Sequence, residues 1–299
     1  MSRFTGKEKE WQYVSGLGGY YSTEALPNAL PKAQNTPQVC PYGLYAEQLS
    51  GAAFTAPRYK NLHSWLYRIR PSVIHDRMIP TPEQEILEQF NHLEIDPNQF
   101  RWSPLDLPTA SEHIDFIQGL KLVAGAGDPS MKDGLAIYLY TCNKSMENKS
   151  FYNADGDFLI VPEIGSLLII TELGRLFVEP CEIVVIPRGI KFSIHVEESC
   201  RGYVGEIFKG HFELPNLGPI GANGLANQRD FDVPVAYYED LDIEYQLVTK
   251  FLNKFYTARM DHSPYDVVAW HGSYSPFKYD LRKYNVINTV SYDHLDPSI

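Results

Sequence analysis

No stretch of this 299-residue chain holds the unbroken apolar run of about 18 residues that a membrane-spanning helix needs, although 44% of its residues are hydrophobic. The first sixteen residues, MSRFTGKEKEWQYVSG, lack the apolar core of a secretory signal. Positive charge is in short supply. Lys and Arg number 26 against 37 Asp and Glu, a formal net charge of −11. Nucleic acid and anionic membrane both demand a basic face, so neither is expected as a main partner. Cysteine is scarce too: Cys40, Cys142, Cys181 and Cys200 show no C-x-x-C spacing. That excludes a disulfide framework and predicts reduced, mostly buried thiols in a cytosolic protein. Without a secretory context, the Asn-Lys-Ser sequons at Asn143 and Asn148 carry no weight. There is no internal repeat and no low-complexity tract. The length allows one large domain or two ordinary ones.

What is present is strand. From Gly156 to Val196 the chain reads GDFLIVPEIGSLLIITELGRLFVEPCEIVVIPRGIKFSIHV, short apolar runs cut by Pro162, Gly165, Gly174, Pro180 and Pro187-Arg188-Gly189. Successive runs of this kind predict an antiparallel barrel or jelly roll. The segment Ile183 to Phe192 resembles the second motif of cupin barrels, in which a Pro-x-Gly turn precedes a metal-binding His. Phe192 stands at that His position, and Ser150 to Gly156 (SFYNADG) lacks the His-x-His pair of the first motif. The expectation is a mainly β protein, a cupin-type antiparallel barrel or sandwich over Gly134 to Val196. Phe192 should point inward and apolar packing should stand where a metal would sit.

The remaining elements are a few short helices and a long amino-terminal arm. Leu17 to Gln48 is turn-rich yet too aromatic for a linker, so it predicts an ordered arm laid over something else, including another subunit. Ser64 to Arg70 alternates like a strand. Pro82 to Asn91 reads as a short helix opened by proline, and Ser111 to Leu120 as a second helix with a Ser N-cap and a glycine exit. Strand is expected again at Gly202 to Phe208, strand or mixed structure at Val233 to Tyr238, Gln246 to Ala258 and Val267 to Trp270, and an alternating segment at Tyr284 to Ser291. His211 to Phe231 reads as a long Gly/Pro/Asn loop.

Several residue sets invite a chemical reading. His294-Leu295-Asp296 and His211-Phe212-Glu213 each put an imidazole and a carboxylate on one face of a strand, two parts of a two-His-one-carboxylate iron site. For the second pair, His262 or His271 is a distant third ligand. Such spacings arise by chance in a chain with nine His. Asp261-His262-Ser263 and Trp270-His271-Gly272-Ser273 look like hydrolase fragments, but no G-x-S-x-G elbow exists, and Cys40 precedes a proline rather than a helix. Gly218 to Gly224 lacks the order and the Lys-Ser/Thr of a phosphate loop.

Longer stretches carry more. NTPQVCPYGLYAEQLSGAAFTAPR (Asn35 to Arg58), SWLYRIRPS (Ser64 to Ser72), SMENKSFYNADGDFLIVP (Ser145 to Pro162), ELPNLGPIGANGLANQRDF (Glu213 to Phe231), DVVAWHGSYSPFKYDL (Asp266 to Leu281) and DHLDPSI (Asp293 to Ile299) closely resemble the homogentisate 1,2-dioxygenase family. The resemblance is collinear from about Tyr13 to Ile299. It implies a cytosolic, iron(II)-dependent enzyme, a dimer of trimers, that cleaves the ring of homogentisate with O2 to give maleylacetoacetate in tyrosine and phenylalanine breakdown. It also implies two parts: residues 1–285 as an amino-terminal β domain and 286–299 as the start of a carboxy-terminal iron-binding β domain. The family's iron ligands, two His and one Glu, would lie beyond Ile299, so no metal ligand and no other cofactor contact is assigned here. One site residue carries over: His294, as the acid/base beside the substrate. Removing a phenolic proton suits an imidazole that titrates near neutrality. The alternative is an inactive scaffold or assembly subunit of the same family.

Overall fold

Between Asp133 and Cys142 every second side chain turns inward. Ala136, Tyr138, Tyr140 and Cys142 are buried, while Ile137, Leu139 and Thr141 between them stay partly exposed. That is the signature of a strand with one face on a core, and the same alternation repeats at Cys200–Ile207. The computed structural model describes residues 11–32, 39–50, 56–81, 96–99, 103–217 and 225–285. The expected helix over 82–91, the glycine-rich segment 218–224, most of the expected strand at 284–291, and His294 with its neighbours lie outside the described residues.

The strands are β1 (Tyr13–Ser15), β2 (Tyr21–Glu24), β3 (Tyr45–Ser50), β4 (His63–Arg68) and β5 (Ile79–Pro80). Then come β6 (Leu120–Asp128), β7 (Asp133–Cys142), β8 (Lys149–Asn153), β9 (Asp157–Ile164), β10 (Leu167–Thr171), β11 (Gly174–Val178), β12 (Glu182–Ile186), β13 (Phe192–His195) and β14 (Cys200–Ile207). The last are β15 (Phe231–Pro234), β16 (Tyr245–Phe251), β17 (Lys254–Met260), β18 (Val267–Gly272) and β19 (Phe277–Asp280). They form an 8-stranded sheet in the order β1-β15-β19-β12-β9-β14-β7-β6, a 7-stranded sheet β11-β10-β13-β8-β16-β17-β5, and a 4-stranded sheet β2-β18-β4-β3. Pairings are antiparallel except β16 with β8, which is parallel. The larger sheets share one core. Tyr138, Ile160, Val184 and Val204 from the first meet Phe151, Ile169, Phe192, Ile194 and Val248 from the second. The architecture is an antiparallel sandwich rather than a closed barrel.

β10 is buried on both faces, which is why LLII could not show an alternation. Leu167 and Ile169 enter the inter-sheet core, while Leu168 and Ile170 pack outward against Tyr245, Leu247, Met260 and Tyr265. The arm is partly internal: β2 and β3 flank the smallest sheet, next to β18 and β4. Tyr20, Val39, Tyr42 and Tyr45 within it remain exposed.

The expected helix over Ser111 to Leu120 does not form. Glu112 accepts from the Thr109 amide and hydroxyl, a single capped turn that is not continued. The Ile114 amide is taken by the Asn143 side chain, and Asp115 and Gln118 hydrogen-bond each other's backbone amides. Asx-type bonds of this sort compete with a helix ladder. Gly119 then packs so closely on β7 that a Cβ there would lie 1.7 Å from the Thr141 carbonyl oxygen.

Candidate functional site

Phe192, which stands where the cupin motif has its His, is buried among other rings. Phe192 is 1% exposed and pairs in register with Phe151, their rings 5.5 Å apart and edge to face. Phe158 and Phe255 stack on Phe151, and Phe116 meets Phe192 edge on. Edge-to-face and offset pairs are favourable beyond their burial, so this is an ordinary aromatic core.

Beside the rings lies a charged cluster that the sequence did not disclose. Lys250 Nζ sits 2.7 Å from Asp155 Oδ2 and 3.0 Å from Glu206 Oε1, all three wholly or almost wholly buried. Tyr138 and Asn153 donate to Glu206, at 2.7 and 2.6 Å. Burial, followed by the Glu206 charge, pushes the Tyr138 phenol well up, so it stays a donor. Asp155 also accepts the amides of Leu252 and Asn253, the two positive-φ residues of the β16–β17 turn. The cluster therefore holds the turn in place. A buried ion network between distant residues leaves no local sequence pattern, so only the unusual Asn-Ala-Asp-Gly-Asp at the head of β9 could have hinted at it.

His211 lies on the rim of the sandwich. Its Nδ1 is 2.9 Å from Asp157 Oδ2, and its ring meets Tyr274 edge to face at 5.2 Å. Asp157 is 1% exposed and its other oxygen accepts from the Arg188 amide and Nε at 3.0 and 3.2 Å. Arg188 belongs to the Pro-Arg-Gly turn singled out above, so that turn orients the carboxylate that orients His211. The pair opens on a cavity of about 370 Å³, to which Glu213 also contributes.

The other sequence candidates separate. His262 is bonded to exposed Asp261 at 2.8 Å, while the Ser263 hydroxyl donates to Glu239, so the three do not form a relay. His271 lies between the phenols of Tyr20 and Tyr67, at 2.7 and 2.9 Å. Burial, then nearby His63, holds its pKa below the usual imidazole range. Ser273 bonds the His63 backbone. Neither His262 nor His271 joins His211 and Glu213 as a third ligand. Among the described residues, no group of three His, Cys, Asp or Glu side chains could hold a metal ion. They do not fit the iron that the family resemblance implies. Nor is any helix among them long and apolar enough to cross a membrane.

Fold and site together define an antiparallel β sandwich with an aromatic interior, a buried ion cluster beside it and His211 facing a cavity. The chain belongs to the homogentisate 1,2-dioxygenase family: residues 12–281 match the model of the homogentisate 1,2-dioxygenase N-terminal region. It is 54% identical over 295 residues to homogentisate 1,2-dioxygenase of Drosophila melanogaster, covering 97% of this chain and 67% of that one. For the enzyme of Homo sapiens the figures are 54%, 97% and 66%. The chain thus spans about two thirds of the length of these relatives. Among solved structures it overlaps a cupin-2 domain protein of Shewanella frigidimarina with 18% identity and TM-score 0.26, over 32% of this chain and 83% of that one. The corresponding figures for a cupin 2 barrel protein of Leptotrichia buccalis are 12%, 0.27, 57% and 89%. At those scores the overlaps add nothing to the strand order.

Proposed function

We propose that this chain serves the oxygenative ring cleavage of homogentisate to maleylacetoacetate, in the cytosolic breakdown of tyrosine and phenylalanine. The observation that carries the reading is the 54% identity to homogentisate 1,2-dioxygenases sustained over 97% of the chain. In this reading residues 1–285 are the scaffold domain and 286–299 open the iron-binding domain, in an assembly of two trimers. Iron(II) supplies the activation of O2 and substrate. The described residues offer it no ligand set. The contribution assigned to this chain is made by His294, which takes a phenolic proton from homogentisate and later returns one, the work of an imidazole near its pKa.

The test joins this chain to the carboxy-terminal third of a relative and follows O2 uptake with homogentisate. Turnover is expected from the joined protein, with a mass of six subunits by light scattering. His294→Ala should lower kcat by about 10²–10⁴-fold at unchanged iron content. Full turnover without the imidazole would remove His294 from the mechanism. The second reading, an inactive scaffold of the same family, requires that the joined protein also fail.

A further inference from the structure

The four cysteines are free thiols, and two of them face each other. Cys142 is the last residue of β7 and Cys200 the first of β14, and the antiparallel register sets them directly opposite. Both side chains enter the inter-sheet core and both are 0% exposed. Their thiols hydrogen-bond, and that contact, then burial, pushes the Cys142 thiol well up. Cys200 Sγ also lies 3.3 Å from the Glu198 carbonyl oxygen, an acceptor for its own S–H. The same sulfur packs on the β9–β10 turn, where a Cβ on Gly165 would collide with it. Cys40 sits with the small sheet and Cys181 precedes β12, in other parts of the fold.

Residues directly opposite on antiparallel strands hold their Cβ atoms about 4.5–5.5 Å apart. A disulfide needs about 3.5–4.5 Å, so closing the bridge asks for a shift of about 1 Å. The pair stands at the end of its ladder, where strands open most easily. Its chain neighbours Asn143, Lys144, Glu197, Glu198 and Ser199 all reach solvent. Opening one residue pair there lets a water-sized oxidant in.

We propose that Cys142 and Cys200 form an oxidisable dithiol, which hydrogen peroxide closes into a cross-strand disulfide and thiol reductants reopen. One sulfur, as thiolate, attacks the O–O bond and becomes a sulfenic acid while the other oxygen leaves as water. The second thiol attacks the sulfenic sulfur, and its proton leaves with the hydroxyl as a second water. Two S–H groups and one peroxide thus give one S–S bond and two waters. The thiols lose the two electrons that the peroxide gains. Because the Cys142 thiol holds its proton, closure is slow and follows opening of the strand ends. The bond would fasten together the strands that carry Tyr138 and Glu206 of the buried ion network. The inference is independent of ring cleavage.

The experiment treats the folded chain carrying Cys40→Ser and Cys181→Ser with hydrogen peroxide, removes the oxidant with catalase, and alkylates in denaturant. Peptides are then mapped by mass spectrometry without reduction. A Cys142–Cys200 linked peptide within one chain, and loss of both free thiols, are expected. The thermal midpoint should rise by about 4–10 °C and fall back with dithiothreitol. Two thiols left free, sulfinic or sulfonic acid at either position, or links only between chains would overturn the proposal. So would a linked pair that forms in urea but not in the folded chain, or one that leaves the midpoint unmoved. Should the double variant fail to fold, the same map on the parent chain decides alone.

Discussion

Removing the Asp155 carboxylate would leave Lys250 with Glu206 and strand two turn amides in an interior where water cannot easily replace it. Lys250 and Asp155 are both 0% exposed, and the same carboxylate holds the amides of Leu252 and Asn253. A buried amide left without an acceptor costs about 1–3 kcal/mol. Asp155→Ala, which orphans two of them, is therefore expected to lose about 2–5 kcal/mol in urea unfolding. Asp155→Ala combined with Lys250→Met should lose more, because Glu206 is then buried without its cation. A single-variant loss under about 1 kcal/mol would show that the turn amides find other acceptors. The residue scale also shows what a sequence discloses. Phe192 was legible because the Pro-x-Gly turn fixes its position and a ring there can only pack. Lys250 with Asp155 and Glu206 was not, since each looks like an ordinary surface charge until strands far apart in the chain are brought together. His211 was noticed for its neighbour Glu213, but its working partner is Asp157, which no spacing rule connects to it.

At the scale of elements, β3 is tied to β4 and to the turn after it by Glu47. Its carboxylate accepts from Arg68 at 3.2 Å and from the Ser72 amide at 2.9 Å. Burial pushes the Glu47 carboxyl up, but the Ser72 amide and the Arg68 charge outweigh it and hold it below the ordinary value of 4.5. A depressed acid contributes stability that is complete above its unfolded pKa and is lost as pH falls through the folded one. Glu47→Gln should thus melt below the parent at pH 6, and the gap should close as pH falls from about 4.5 towards 3. A gap that stays constant over that range would mean that Glu47 acts through shape rather than charge. Elements with one exposed face, β7 and β14, declared themselves by alternation. β10 hid its period because both faces are covered. The segment at Ser111 to Leu120 reads as a helix because its caps satisfy a turn as well as they would start one, and the Asn143 side chain that takes the Ile114 amide comes from a distant part of the chain.

For the whole molecule, the sheets place two different chemistries apart. The interior is apolar around Phe151, Phe158 and Phe192, with the buried Lys250–Asp155–Glu206 network beside it. The rim carries His211 and its cavity. The β class was readable because period and turn residues recur along the chain. The sandwich with its third sheet was not, because strand order such as β2-β18-β4-β3 joins segments from opposite ends. Function was readable from long collinear resemblance and not from any cluster of ligands.

The sandwich is expected to serve as an aromatic scaffold that retains no iron of its own. Iron(II) should be added anaerobically to the purified chain, the unbound metal removed by gel filtration, and the remainder counted while O2 uptake with homogentisate is followed. A three-ligand site with open positions would retain iron in proportion to protein. Iron no higher than on a control protein with surface His, and no O2 uptake, is the expected result. One iron per chain, lost on His211→Ala and accompanied by ring cleavage, would contradict it.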